Sequence, residues 1–300
     1  MTYRELIEEQ KKKYPGAAAR ENEPMSAHTS LKIGGEAAAY FEPVSAEELK
    51  SIVSACAEEG LRYFVLGKGS NVLFADGRLD LAVISTSGLS EIKTEGETIT
   101  AGAGAALSKI ASAALAASLT GFETLHGIPG SLGGAVYMNA GAYGGEIKDV
   151  CESVTVLENG EIREYAARDC DFSYRHSAFE DKDAVVISAR FRLKQGDPEK
   201  IRATMRDLAD RRRAKQPLEF PSAGSTFKRP TGDFAARLIE TAGLKGRQNG
   251  GAQVSEKHAG FLINRGGATF EDFYGLMVTV QKEVFKFSGV LLEPEVRIIR

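Results

Sequence analysis

Gly127-Ile-Pro-Gly-Ser-Leu-Gly-Gly-Ala-Val-Tyr-Met-Asn-Ala-Gly-Ala-Tyr-Gly-Gly-Glu146 is the segment around which the rest of the chain is organised. Seven of its twenty residues are glycine, with a proline among them. Each interior glycine costs a helix about 1 kcal/mol relative to alanine, so the composition predicts irregular backbone instead of a regular helix. Glycine at this density lets successive backbone N–H groups come close to a ligand and donate to it, the design of a phosphate or pyrophosphate cradle. The competing reading is a turn-rich surface loop. Ile128, Leu132, Val136, Tyr137 and Met138 argue against it, because a solvated linker would not carry them.

Working outward, a second glycine loop, Gly67-Lys-Gly-Ser-Asn71, lies about sixty residues upstream. It follows a helix that opens on Ser45-Ala-Glu-Glu48 and stops at Gly60, and then a strand Arg62–Leu66. A glycine loop at the carboxyl end of a strand is where α/β folds place ligands. The dinucleotide fingerprint fails, because Val72 stands at the third glycine position, and the P-loop pattern is absent. Two such loops predict one large phosphate-containing cofactor gripped from two sides. Backbone donors can neutralise it without Lys or Arg.

The remaining pattern is α+β. Helices are expected at residues 2–14, Ala106–Leu119, Glu199–Lys215, Phe234–Ala242 and Phe270–Phe287. Strands are expected at Ala38–Pro43, Val72–Phe74, Leu81–Ser85, Glu97–Ala101, Ala184–Leu193, Gly260–Asn264 and Val290–Ile299. Ser153–Leu157 and Ile162–Tyr165 flank Asn159-Gly160, a strong hairpin signal. Gln195-Gly-Asp-Pro198 reads as a domain boundary.

Three hundred residues exceed one small core, and 43% hydrophobic with 26% charged residues is ordinary globular composition. A net charge of −3 gives no reason to expect a nucleic-acid partner. Residues 2–13 are too charged for a signal peptide, and the longest apolar run, Ile110–Leu119, is too short for a bilayer, so a cytoplasmic protein without membrane insertion is expected. Cys56, Cys151 and Cys170 form no CxxC pair and read as reduced, mostly buried thiols. The four histidines show no metal-ligand spacing, so no metal is expected.

Several residues could carry chemistry. Ser225, between Gly224 and Thr226, could be a nucleophile, a proton donor or a plain turn serine; the GxSxG elbow is absent. Arg175 could clamp an anion bidentately or be solvated. Glu295 lies in an otherwise apolar terminal segment and needs a partner or a function, with Glu293 a competitor on the same side. Arg211-Arg-Arg213 reads as a solvated helix face.

Gly67-Lys-Gly-Ser-Asn71, Gly127–Gly134, Asn139-Ala-Gly-Ala-Tyr-Gly144, Tyr174-Arg175, Lys215-Gln-Pro217, Ala223-Gly-Ser-Thr-Phe-Lys228, Gly250-Gly-Ala-Gln253 and Leu292-Glu-Pro-Glu-Val-Arg297 together resemble the UDP-N-acetylenolpyruvoylglucosamine reductase family. They run in order over nearly the whole chain. The resemblance implies an α+β, vanillyl-alcohol-oxidase/PCMH-type FAD fold with a C-terminal α+β substrate domain. Its expected parts are an N-terminal segment 1–28, FAD-binding subdomains 29–90 and 91–196, and a substrate domain 197–300. It implies NADPH-driven reduction of the enolpyruvyl group of a UDP-sugar, by way of flavin N5, in peptidoglycan precursor synthesis. By that likeness FAD is bound non-covalently by Gly67, Lys68, Gly69, Ser70, Asn71, Ile128, Pro129, Gly130, Ser131, Gly133, Gly134, Asn139 and Gly141. Arg175, Ser225 and Glu295 are implied as catalytic, with Ser225 the proton donor, and Tyr143, Lys215 and Arg229 as substrate contacts. Arg175 and Ser225 are fifty positions apart, so this is the short form without the family's tyrosine-bearing lid. A monomer or weak oligomer is expected. The rival readings are a sugar or lactone dehydrogenase of the same FAD fold, and a non-catalytic nucleotide-sugar sensor.

Overall fold

The computed structural model describes residues 1–182 and 184–300. The chain divides into two compact units: Met1–Asn22, Ala38–Lys68 and Asp80–Asp210 form one, and Glu23–Ala37, Gly69–Leu79 and Arg211–Arg300 the other.

The first unit is built on two sheets. Helix α1 (Tyr3–Lys13) starts at a capping box of Thr2 and Glu5. In α2 (Ala46–Glu58) Ser45 Oγ accepts the Glu48 N–H at 3.1 Å, while the Glu48 carboxylate accepts the Val44 N–H at 2.9 Å. Their apolar faces contribute Leu6, Ile7, Leu49 and Ile52 to a core with Phe41 and Ile84. That core belongs to a four-stranded sheet ordered Ala18–Pro24, Glu36–Glu42, Arg78–Ser85, Tyr63–Leu66, the last two parallel. Ala18–Pro24 went unread in the sequence because it is an edge strand whose Arg20, Glu21 and Asn22 are exposed, leaving no apolar alternation.

The second sheet is antiparallel, ordered Glu161–Ala166, Cys151–Glu158, Ala184–Arg192, Thr98–Gly102, Ile92–Glu95. Its hairpin turns at Asn159 (φ +50°) and Gly160 (φ +74°), the left-handed pair that the Asn-Gly signal demands. Helices α3 (Leu107–Ala116) and α4 (Leu132–Tyr137) share its core with Ile99, Val154 and Phe191. Helix α4 corrects the expectation of irregular backbone throughout Gly127–Glu146. Leu132, Ala135 and Val136 are buried, and the Leu132 and Gly133 N–H groups donate to Ala105 and Ala103 at 2.9 and 2.8 Å. Burial and these tertiary bonds outweigh the glycine penalty, because packing of a buried face and not intrinsic propensity supplies most of a helix's stability in a folded protein.

Helix α5 (Pro198–Lys215) precedes the C-terminal part of the second unit, where the sheet order is Ser222–Ser225, Phe261–Asn264, Ala252–Val254, Gln248–Asn249, all antiparallel. Helix α6 (Ala235–Thr241) and helix α7 (Phe270–Ser288) bury Leu238, Ile239, Phe273, Leu276 and Val280 in its core. The terminal strand is shorter than expected. Only Arg297–Ile299 pairs, parallel to Val72–Phe74, and the segment before it makes a single bridge, Pro294 with Phe227. Pro294 has no N–H to donate to a ladder. Among the described residues no helix is long and apolar enough to cross a membrane.

Candidate functional site

In the first unit the glycine loop and the cradle meet at Gly67. A Cβ there would fall on Ser131 Oγ, so only glycine allows this approach. Ser131 is 2% exposed, precedes α4 without capping it, and its Oγ has no hydrogen-bond partner among the described residues. A buried hydroxyl left unsatisfied costs about 1–3 kcal/mol, so this place suits a polar ligand atom. Bare glycine backbone beside such a hydroxyl fits a pyrophosphate oxygen, and the residues present therefore fit a dinucleotide cofactor. Nearby, the Leu107 N–H donates to Gly130 O, and Gly130 N–H to Ile128 O across Pro129. Lys68, the last residue of this unit's share of the loop, is exposed, whereas Gly69, Ser70 and Asn71 belong to the second unit.

The later half of the cradle is bonded to the loop that carries Arg175. Ser173 and His176 exchange backbone hydrogen bonds of 3.1 and 3.3 Å, closing a tight turn around Tyr174 and Arg175. Arg175 has φ +56°, a left-handed position that usually takes Gly or Asn. Its Nη2 donates to Gly141 O at 3.2 Å, and its guanidinium lies 5.2 Å from the Tyr174 ring centroid. Asn139, fully buried at φ +43°, donates Nδ2 to both Glu146 Oε2 and Ser173 O at 2.8 Å, and its Oδ1 accepts the Lys148 N–H at 3.0 Å. Ser177 Oγ donates to Tyr137 O at 2.6 Å. Burial pushes the Glu146 carboxyl up, but hydrogen bonds from Lys148 and Asn139 and the charges of Lys148 and Arg175 outweigh it and hold the group below its ordinary range. Tyr143 is 44% exposed at φ +54°.

In the second unit Ser225 follows a bulge. Ser222 pairs with Ile263 and Ser225 with Phe261, so one extra residue is accommodated, with Gly224 at φ +76°. Ala223 and Thr226 are buried while Ser225 between them is exposed. Thr226 is locked on both sides: its N–H donates to Gly260 O at 2.9 Å, and its carbonyl accepts the Glu295 N–H at 2.8 Å. Asn71 Nδ2 donates to Glu295 O at 3.0 Å, so a residue of the first glycine loop holds the Glu295 backbone. The two acidic candidates now separate. Glu293 is exposed and paired to Lys228 at 2.6 Å, whereas Glu295 is half-buried. Lys215, the last residue of α5, is exposed, and Arg229 lies over the Phe234 ring at 4.5 Å.

The structure thus joins Gly67 to Ser131, Asn139 and Gly141 to the Arg175 turn, and Asn71 to the Ser225–Glu295 segment. Glu146, Ser177 and Thr226 were missed, because no local pattern marks a residue whose task is to bond a distant carbonyl or amide. The thiols are as expected in kind: all three are free, with burial pushing Cys56 and Cys151 up to about 12 and Cys170 to about 11.

Residues 37–165 match the FAD binding domain family, and residues 216–299 match the family described as UDP-N-acetylenolpyruvoylglucosamine reductase, C-terminal domain. The chain is 49% identical to the UDP-N-acetylenolpyruvoylglucosamine reductase of Caldanaerobacter subterraneus subsp. tengcongensis, over 93% of this chain and 92% of that one. It is 49% identical to the reductase of the same name from Clostridium novyi, over 92% of this chain and 90% of that one. The crystal structure of the Thermus caldophilus UDP-N-acetylenolpyruvylglucosamine reductase superposes with a TM-score of 0.81 at 32% identity, covering 95% of this chain and 99% of that one. Physcomitrella patens BBE-like 1, at TM-score 0.50, 17% identity, 65% of this chain and 45% of that one, shares the fold alone. The fold is α+β of the vanillyl-alcohol-oxidase/PCMH type, the cofactor is FAD, and the chain belongs to the UDP-N-acetylenolpyruvoylglucosamine reductase family.

Proposed function

We propose that this FAD-dependent oxidoreductase reduces the enolpyruvyl ether of UDP-N-acetylglucosamine-enolpyruvate to the lactyl ether of UDP-N-acetylmuramate, with NADPH as hydride donor, in peptidoglycan precursor synthesis. Residues 29–90 and 91–196 serve as the FAD-binding subdomains and residues 197–300 as the substrate domain. FAD, when bound, supplies hydride transfer between donor and substrate. Gly67, Lys68, Gly69, Ser70, Asn71, Ile128, Pro129, Gly130, Ser131, Gly133, Gly134 and Gly141 hold it without a covalent link; the first loop offers Ser70 and no histidine.

The chain's own part of the chemistry is charge and proton management. Hydride arrival at the enolpyruvyl methylene carbon builds negative charge on the neighbouring carbon and its carboxylate. The Arg175 guanidinium stabilises that charge through fixed donors. Glu295, half-buried, donates a further hydrogen bond when its carboxyl carries a proton. Ser225 Oγ delivers the proton as general acid; a hydroxyl this weakly acidic suffices only because the carbanion is strongly basic. Lys215 contacts the diphosphate, and Tyr143 and Arg229 contact the UDP-sugar.

The observation that carries this reading is the exposed hydroxyl of Ser225 just past the Gly224 bulge, with the Glu295 backbone bonded to the very next residue. The test is anaerobic titration of the purified yellow protein. NADPH should bleach the flavin, and the enolpyruvyl UDP-sugar should restore its colour with formation of UDP-N-acetylmuramate. A flavin that NADPH leaves yellow but a sugar or lactone bleaches would instead indicate a sugar or lactone dehydrogenase.

A further inference from the structure

We infer that Asn139 acts as a positioning residue for Arg175 and not as a cofactor ligand; this rests on the role proposed above for Arg175. Both Nδ2 hydrogens of Asn139 are committed inside the protein, one to Glu146 Oε2 and one to Ser173 O, each at 2.8 Å. Its Oδ1 already accepts the Lys148 N–H at 3.0 Å. A carboxamide has two N–H donors, so none remains for a phosphate, and the side chain has no exposure.

What those bonds do is join two loops that are far apart in sequence. Ser173 O accepts from Asn139 Nδ2 and also from the His176 N–H, so the amide grips the first residue of the turn that bears Arg175. The same side chain orients Glu146, whose carboxylate lies close enough to Arg175 for its field to be felt. The Arg175 guanidinium returns a bond to Gly141 O, two residues beyond Asn139. Asn139 and Arg175 both hold left-handed backbone, and a non-glycine residue stays there only where its surroundings over-determine it. Asparagine is the residue type suited to this place: it tolerates left-handed φ and supplies two donors and an acceptor from a short stem.

The test compares wild type, Asn139→Gly, Asn139→Asp and Arg175→Ala, with each Asn139 change also made in the Arg175→Ala background. Asn139→Gly keeps the left-handed backbone and deletes the three bonds; Asn139→Asp keeps the Oδ1 acceptor and sets a carboxylate against Glu146 and a carbonyl. Expected are FAD content as in wild type, faster hydrogen exchange at residues 173–177, and substrate-driven flavin reoxidation slowed by about a hundredfold. In the Arg175→Ala background the same changes cost less than about threefold, because the group being positioned is gone. Loss of FAD from both variants, or full additivity with Arg175→Ala, overturns the inference. If Asn139→Gly does not fold, Asn139→Asp is read by the same criteria. Failure of wild-type flavin to be reoxidised by the enolpyruvyl substrate would instead refute the proposed function, and the hydrogen-exchange arm would still decide whether Asn139 holds the Arg175 turn.

Discussion

The Ser225 turn and the Arg175 turn solve the same problem in opposite ways. Each presents a chemistry-bearing side chain on irregular backbone. At Ser225 the unusual dihedral belongs to the neighbouring glycine, and backbone bonds from Thr226 to Gly260 and Glu295 do the holding. At Arg175 the arginine itself takes the left-handed dihedral, and beyond the Ser173–His176 backbone pair the loop is anchored by buried side chains, Asn139 and Ser177. A turn anchored by main chain tolerates side-chain changes around it; a turn anchored to its surroundings by side chains depends on residues that look unremarkable in the sequence.

The largest effect that would sharpen this contrast is at Ser225. Ser225→Ala should slow the substrate-driven half-reaction by about 10²–10⁴-fold while NADPH still reduces the flavin, read by rapid-mixing absorbance. Unimpaired reoxidation would remove the proton-donor role. Next, Arg175→Gln should cost about 10²–10³-fold in the same half-reaction, since a fixed charge-stabilising donor is lost. Gly67→Ala tests the proposed FAD contact: forcing a methyl onto Ser131 Oγ should cost about 1–3 kcal/mol of FAD binding, measured by titration of apoprotein, and Ser131→Gly should partly restore it. Gly224→Ala should lower stability by about 1–3 kcal/mol through left-handed strain with little change in FAD content. The smallest effect is electrostatic. Glu146 is held below the ordinary glutamate value of 4.5, so its contribution to stability is present above that pH and fades as pH falls through the lower folded value. The difference in melting temperature between wild type and Glu146→Gln should therefore shrink below pH 4.5; a difference that grew on acidification would reverse the assignment.

Much of the α+β framework was legible. The Ser45 cap and the Gly60 stop define one helix, and Asn159-Gly160 defines a hairpin, because these are local backbone demands that particular residues meet. Local signals misled where tertiary bonds decide. Helix α4 forms despite its glycines, the Ala18–Pro24 edge strand has no alternation, and Val290–Val296 is apolar yet unpaired except at Pro294. The strand Val72–Phe74 likewise looks local in the sequence, but its partner is Arg297–Ile299 at the far end of the chain.

By itself the sequence determined the chemistry available: glycine backbone for a pyrophosphate, and the ordered motifs that carry Arg175, Ser225 and Glu295. The tertiary structure sets Glu293 and Glu295 apart: Glu293 pairs with Lys228, while the Glu295 backbone is bonded to Thr226 and Asn71. Only it gave Ser131 an unsatisfied hydroxyl beside Gly67, and Asn139 its grip on Ser173. The physical reason is common to all three: a side chain's residue type sets which bonds it can make, but long-range folding sets which partners come within 3 Å of it.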